Sequence, residues 1–367
     1  MSSDKGFIFS KKKFFYPFRY ICENHQNSYS MKVLVTGGTG FIGSHTIVQL
    51  VEAGHVPVII DNLSNSELKV LDGLEGILGF KPVFYNADCT NKEAFKQICE
   101  QEKPEAIIHF AAFKAVGESV SNPLLYYKNN LGSMSVVLET MKECGIWNLV
   151  FSSSCTVYGQ PDILPVTEST PDKDAASPYG YTKVVCEQMV RDVCNSDSRF
   201  KVALLRYFNP IGAHKSGLIG ELPNGVPSNL IPFVTQTAAG LRSKLTVFGN
   251  DYDTHDGSCI RDFIHVVDLA KAHVASMAWL ASIQSGYEVF NIGQGKGNTV
   301  LEVVKAFVKV TGVDLPYEIG PRRAGDIEKI WADVTKSTNV LKWKTELTIE
   351  DALIDAWNWQ MKLATRS

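Results

Sequence analysis

Tyr179 and Lys183 stand four residues apart in the stretch SPYGYTK, at the start of a segment whose pattern predicts a helix over about Pro178 to Asn195. At that spacing both side chains lie on one helical face. An ammonium beside a phenol favours phenolate and lowers its pKa toward working pH, which makes Tyr179 a candidate general acid and base. Such pairs also arise by chance on solvated helices, so the neighbouring signal matters. SSSCTVYG, Ser152 to Gly159, gathers hydroxyls at the end of an apolar strand predicted over Asn148 to Phe151. Ser154 there can orient a substrate hydroxyl and share its proton.

The elements that must position this set begin with KVLVTGGTGFIG, Lys32 to Gly43. An apolar, β-branched run, Lys32 to Thr36, breaks at once into Gly37, Gly38 and Gly40, with Gly43 three residues on. Glycine serves three needs here: a tight turn, a backbone that can approach a pyrophosphate, and close packing of a helix on its strand. The helix of about Phe41 to Ala53 would aim its N-terminal amides at that phosphate. A glycine turn is common in any α/β domain. The next apolar run, Val56 to Ile60, ends in Asp61, at the fingerprint distance of roughly 20 residues where an acid meets the adenosine ribose. No Arg or Lys follows until Lys69, which favours NAD over NADP.

The alternation continues with strands at Lys81 to Asn86 and Ala106 to Phe110 and a helix at Lys92 to Glu102 between them. That rhythm predicts an α/β fold, a Rossmann-type doubly wound parallel sheet with ligands at the carboxyl ends of its strands. By this rule Ala111 to Ser119 faces the cofactor, and Asp88 and Cys89 lie near its adenine. A long helix is expected over Leu124 to Cys144, where Asn129 and Asn130 are poor helix formers. One of them holds a loop or the cofactor, or both face solvent. A proline-rich, acidic loop fills Gln160 to Ser177, and a sixth strand is expected at Val202 to Arg206. The Gly- and Pro-rich stretch from Gly217 to Gly257 carries a predicted helix (Leu230 to Leu241) and strand (Leu245 to Phe248). CIRDFIHVVDLAKAHVASMAWL should return to the main scaffold as a strand and a helix, followed by a strand at Glu288 to Gly293 and a last helix from about Thr348. The expected division is a NAD-binding unit of 31–207 plus about 260–293. A smaller, mixed α/β C-terminal substrate-binding lobe takes about 208–259 plus 294–367.

Of 367 residues 45% are hydrophobic and 20% charged, enough for a large core, and the net charge of -3 points to neither nucleic acid nor an anionic membrane. Eight cysteines are scattered without a CxxC pair or a histidine at metal-ligand spacing. They read as reduced thiols of a cytoplasmic protein without a metal site. No apolar run reaches membrane-spanning length. Residues 1–30, basic and aromatic around KKKFFYPFRY, lack the features of a signal peptide and read as a flexible extension, with Met31 a candidate translation start.

TGGTGFIGSH, DNLSNS, HFAAFKAVGES, SSSCTVYG, SPYGYTK, LLRYFNPIGAH, GSCIRDFIHV and PRRAGD together resemble the UDP-hexose 4-epimerases of the extended short-chain dehydrogenase/reductase family, from Met31 to about Trp359. The resemblance implies a redox-neutral inversion at sugar C4 that interconverts UDP-galactose and UDP-glucose with tightly held NAD. It implies Tyr179 as acid and base, assisted by Ser154 and Lys183, all three also touching the cofactor or sugar. Matching positions for NAD are Gly37, Gly40, Phe41, Ile42, Gly43, Asp61, Asn62, Leu63, Ser64, Asn65, Ser66, Asp88, Cys89, Phe110, Ala111, Ala112, Phe113, Lys114, Asn129 and Phe208. Those for the UDP-sugar are Asn209, Asn229, Leu230, Thr246, Phe248, Arg261, Arg323 and Asp326.

Plainer readings stand beside these. Phe41, Ile42 and Phe208 suit a core, Arg323 suits a surface, and Arg261 beside Asp262 suits a local ion pair. His45, His109, His265 and His273 read as packed, satisfied side chains. Dehydratases of the same superfamily carry acids at the positions of Cys155 and Thr156, so dehydration is disfavoured. Ile330 stands where side-chain bulk governs turnover of N-acetylated sugars, and its intermediate size predicts weak acceptance. Another nucleotide sugar, or a non-catalytic dinucleotide sensor, is the alternative function. Family analogy also implies a homodimer through the helices Leu124 to Cys144 and Pro178 to Asn195.

Overall fold

A computed structural model describes residues 30–171, 175, 177–323 and 326–365. Of the expected extension, residues 1–30, all but Ser30 lie outside the described residues, as do 172–174 and 176 of the acidic loop and 324–325 within PRRAGD.

The chain opens with β1 (Lys32–Thr36), α1 (Phe41–Glu52), β2 (Val56–Asp61), α2 (Lys69–Leu78), β3 (Val83–Asn86), α3 (Lys92–Glu102) and β4 (Ala106–His109). Two short helices follow, α4 (Val116–Ser121) and α5 (Pro123–Tyr126), then a π turn at Tyr127–Leu131 and α6 (Gly132–Cys144). Next come β5 (Asn148–Ser154), α7 (Pro178–Ser196), β6 (Lys201–Tyr207), β7 (Asn209–Ile211), α8 (Leu230–Ala238) and β8 (Leu245–Phe248). The remainder is β9 (Ile260–His265), α9 (Val266–Ser282), β10 (Gly286–Ile292), β11 (Gly297–Thr299), α10 (Val300–Thr311), β12 (Tyr317–Gly320), β13 (Lys329–Ile330), α11 (Thr335–Leu341) and α12 (Ile349–Ala364).

Seven strands form one parallel sheet in the order β3-β2-β1-β4-β5-β6-β10. Its central strands are apolar without alternation, because both faces are covered: Val33, Leu34, Val35, Ile59, Ile107 and Ile108 are fully buried. Ile47, Leu50, Leu74, Leu269 and Leu280 pack one face, and Phe95, Met134, Met141 and Val190 the other. The fold is therefore the doubly wound, Rossmann-type α/β sheet. The order in which successive strands join the sheet reverses between β1 and β4, which opens a crevice at their carboxyl ends.

A smaller lobe is built on β9, flanked in parallel by β7 and β13 and antiparallel by β11, with β8 and β12 as a separate parallel pair. Phe263, Val304, Phe307 and Leu353 form its core. Thr299 with Glu302, and Thr348 with Asp351, close capping boxes that start α10 and α12.

The structure departs from the sequence reading in four places. Ile260–His265 joins the small sheet, while α9 directly after it packs on the large one, so this segment divides between lobes. Helix α2 escaped the reading because Gly73 and Gly76 interrupt its pattern; a Cβ at Gly73 would lie 2.3 Å from the Leu218 carbonyl, so close approach to that segment requires glycine. The long helix over Leu124 to Cys144 is broken into α5, the π turn and α6, with the asparagine pair inside the turn. Strand β5 runs on to Ser154, so the three serines lie within the strand and point alternately to opposite faces.

Candidate active site

The glycine turn closes tightly on itself. Gly37 donates to the Ile60 carbonyl (2.8 Å) and accepts from the Gly40 amide (3.0 Å), and its φ of +68 is in the left-handed region. A Cβ at Gly43 would lie 2.2 Å from the Gly37 carbonyl oxygen, which is how α1 comes so close to the turn. The helix starts at Gly40 with no side-chain cap, so its first-turn amides remain available to an anion; Phe41 and Ile42 begin it. Asp61 ends β2 and braces the next loop: Oδ1 accepts from the Leu63 amide (2.9 Å) and Ser66 Oγ (3.1 Å), Oδ2 from the Thr39 amide (3.2 Å). Those bonds hold Leu63 at a φ of 59, while Asn62 caps the Ser64 amide (3.0 Å) and reaches Asp88 (3.0 Å). Burial opposes ionisation of Asp88, but hydrogen bonds from Thr90 and Asn62 outweigh it and hold its carboxyl below the usual range. Cys89 is buried, which pushes its thiol up. This cradle, closed to any side chain at Gly43 and bordered by an acid at the end of β2, fits a dinucleotide.

Beyond β4, the Ala111 amide donates to Thr36 Oγ1 (3.2 Å), and Ala112 continues the segment past the carboxyl end of the strand. Asn130, buried in the π turn, holds that segment: it accepts from the Phe113 amide (2.9 Å), donates to the Phe113 carbonyl (3.1 Å) and to Thr182 Oγ1 (3.0 Å). Asn129 donates to Asn130 (3.0 Å). The loop-holding alternative therefore belongs to Asn130, which ties the segment after β4 to α7.

On α7, Ser177 caps the helix by accepting from the Gly180 amide (3.2 Å), and Pro178 occupies the first turn. Tyr179 lies beside Ser154, whose Oγ accepts from the Thr156 amide (3.2 Å). Lys183 is buried, donates to the Ser152 carbonyl (2.6 Å) and lies over the Phe151 ring (4.9 Å) and near that of Tyr179 (5.9 Å). Burial lowers its pKa to about 8, with Cys186 and Glu187 working the other way. Here the expectation of a lowered phenol pKa needs correction: burial pushes Tyr179 up to about 12, and the neighbouring Ser154 hydroxyl only partly offsets this. Without a ligand the phenol is protonated. Cys155, next to Ser154, is likewise pushed up to about 12 by burial.

On the facing lobe, Asn209, Pro210, Ile211, Glu221, Asn229 and Leu230 line a cleft of about 330 Å³, its solvent mouth included. Glu221 bridges the lobes by accepting from Asn229 (2.5 Å) and Lys114 (3.2 Å). Further along, Arg323 donates to Asp326 (2.7 Å) and lies over the exposed Phe248 ring (5.6 Å), and Arg261 stands 3.9 Å from the same carboxylate. Thr246 donates to Glu318 (3.4 Å). Arg261 and Asp262 do not pair. Successive strand residues face opposite ways, and Asp262 turns inward to accept from the amides of Gln294 (2.7 Å), Gly295 (3.0 Å) and Ala332 (3.1 Å). Burial raises its pKa to about 6. Phe208 and Ile330 are buried together with Val157 and Tyr158 behind the site.

The histidines are packed, but one is not satisfied: His45 bonds the Phe41 carbonyl through Nδ1 (2.7 Å) while its buried Nε2 has no hydrogen-bond partner among the described residues. Burial lowers His45 and His109 to about 3 and His273 to about 4. The unfolded chain, with histidines near 6.5, binds more protons than the folded one as pH falls below that value. Their contribution is complete above pH 6.5 and is lost progressively toward pH 3, about 2 kcal/mol per histidine by pH 5. The thermal midpoint should therefore drop steeply from pH 6.5 to 5; a midpoint level across that interval contradicts this assignment.

Two polar groups at the site escaped the sequence reading, Glu187 and Arg206. Their signals were present: Glu187 follows Lys183 by one helical turn, and Arg206 interrupts the apolar run LLRYF.

Residues 33–293 match the model of the NAD dependent epimerase/dehydratase family. The chain is 48% identical over 330 residues to the UDP-glucose 4-epimerase of Bacillus subtilis, covering 90% of this chain and 97% of that protein. The UDP-glucose 4-epimerase of Dictyostelium discoideum is 47% identical over 329 residues, with 90% and 95% covered. Among solved structures, that of UDP-glucose 4-epimerase from Bifidobacterium longum in complex with NAD+ and UDP superposes with a TM-score of 0.87 at 46% identity, covering 90% of this chain and 98% of the other. The glycine cradle, the Ser154–Tyr179 contact with Lys183 on the same helix, and these likenesses over nearly whole chains converge: the protein belongs to the NAD dependent epimerase/dehydratase family, among its UDP-glucose 4-epimerases.

Proposed function

We propose that the protein is a NAD-dependent isomerase that interconverts UDP-galactose and UDP-glucose, and that Tyr179, Ser154 and Lys183 carry the proton chemistry. The observation that carries this reading is the meeting of Tyr179 with Ser154 at the carboxyl end of β5, with the buried Lys183 one turn along α7 and its ammonium on the Ser152 carbonyl. When bound, NAD supplies a hydride acceptor for C4 and a positive ring that favours the phenolate of Tyr179. Tyr179 takes the proton of the 4-hydroxyl and later returns it, and Ser154 orients that hydroxyl. Lys183 keeps a cation beneath the phenol. The 4-keto sugar is tethered by its nucleotide and turns its other face before the proton and hydride return. Arg261 and Arg323 can release Asp326 to engage a diphosphate, for which the planar guanidinium is suited. Gly37, Gly40, Gly43 and Asp61 to Ser66 hold the cofactor.

Incubation of purified protein with UDP-galactose and no added cofactor, followed by NMR, should yield UDP-glucose. Failure even with NAD added would refute the proposed substrate.

We further propose that the protein is cytoplasmic, in keeping with the seven free cysteines among the described residues, five of them buried, and that it is a homodimer. Val116, Val120, Leu124, Leu125 and Tyr181 expose apolar surface on α4, α5 and α7, Leu124 to 79%, and a patch of that kind marks an interface. Light scattering should give twice the chain mass; a monomer at micromolar concentration contradicts the dimer.

A further inference from the structure

Glu187 and Arg206 are both about 1% exposed in their side chains and belong to different elements, α7 and β6. Arg206 Nε donates to Glu187 Oε1 (2.9 Å) and Nη2 to Oε2 (2.8 Å), a two-pronged pair. Ser153 Oγ donates to Oε1 as well (2.5 Å), and Arg191 from α7 to Oε2 (2.9 Å). The carboxylate is thus held on all sides. The other face of the Arg206 guanidinium lies 4.8 Å from the Tyr158 ring, and the Tyr158 hydroxyl donates to Asn291 (2.6 Å).

Each anchor borders a reacting group. Glu187 is one turn from Lys183 and two from Tyr179 on α7, Ser153 directly precedes Ser154 on β5, and Tyr158 ends the turn that follows it. A buried pair gives little net stability compared with apolar side chains of similar volume, because desolvating two charges offsets their attraction. Its directional bonds do fix where the helix sits on the sheet. We propose that Glu187 and Arg206, with Ser153, are positioning residues that seat α7 on β5 and β6, and so set Tyr179 and Lys183 against Ser154. This rests on the epimerase reading above.

The test uses Glu187→Leu/Arg206→Met/Ser153→Ala, which removes both fully buried charges together with the serine that bonds them and leaves of the cluster only Arg191, whose side chain is 23% exposed. Wild-type protein assayed in parallel tests the epimerase reading by itself. If wild type is inactive, that reading fails and the positioning role falls with it. With active wild type, the triple variant should keep its thermal midpoint within a few degrees, its NAD and a KM for UDP-galactose within about threefold, while kcat falls by about 10²-fold, the cost of displacing a reacting group by roughly 1 Å. Recovery of kcat to within about twofold of wild type, with the fold intact, overturns the proposal. Should the triple variant not fold, Arg206→Lys decides: it keeps the charge but loses the fork, and the expected result is a folded protein with kcat reduced about tenfold at unchanged KM. Wild-type kcat in Arg206→Lys overturns the proposal equally.

Discussion

Tyr179→Phe should lower turnover of UDP-galactose by about 10³-fold while the purified variant still carries its NAD, since general acid–base groups contribute roughly 10² to 10⁴. The change removes one oxygen from a side chain whose ring stays packed. What is lost is the hydroxyl beside Ser154, at a stability cost of about 1 kcal/mol. Lys183 cannot substitute, because its ammonium is turned to the Ser152 carbonyl. Initial rates by NMR, with NAD measured in the extract of denatured protein, separate the outcomes. Unchanged turnover would remove Tyr179 from the mechanism, and loss of NAD together with activity would make it a cofactor-holding residue.

Gly43→Ala should have the largest effect on the cofactor. The added methyl would sit 2.2 Å from the Gly37 oxygen and 2.8 Å from the Gly38 Cα, both backbone, so α1 must lift from the turn. Overpacking of this kind costs about 1–3 kcal/mol or more, and here it also opens the phosphate cradle. Purified variant should contain little or no NAD and melt several degrees lower. Gly117→Ala is the control, because a Cβ at Gly117 meets nothing within 4 Å; that variant should match wild type. Full NAD retention by Gly43→Ala would show that the cofactor is held elsewhere.

Much of this fold was legible because its signals are local. An apolar run, a glycine turn and an acid one strand later describe a βαβ unit within about thirty residues, and the spacing of Tyr179 and Lys183 follows from the helical repeat alone. The parallel sheet followed from the alternation of elements, whose strands are too regularly separated by helices to pair otherwise. The comparisons with known epimerases agree with the family reading, and the cleft brings Asn209, Asn229 and Leu230 to one place.

The tertiary structure alone decided the rest, for one physical reason: burial and long-range pairing are properties of surroundings, and no local pattern records them. Ile260–His265 has the composition of any buried strand, yet its partners are β7, β11 and β13. Arg261 and Asp262 look like an ion pair in sequence and point apart in space, the aspartate onto three backbone amides. Tyr179 beside a lysine suggests a lowered pKa, but desolvation raises it. Arg206 is a lone cation within an apolar run, and only the meeting of β6 with α7 supplies Glu187 to receive it. From its sequence this protein determined which groups could do the chemistry; packing determined which of them meet, and in what charge state.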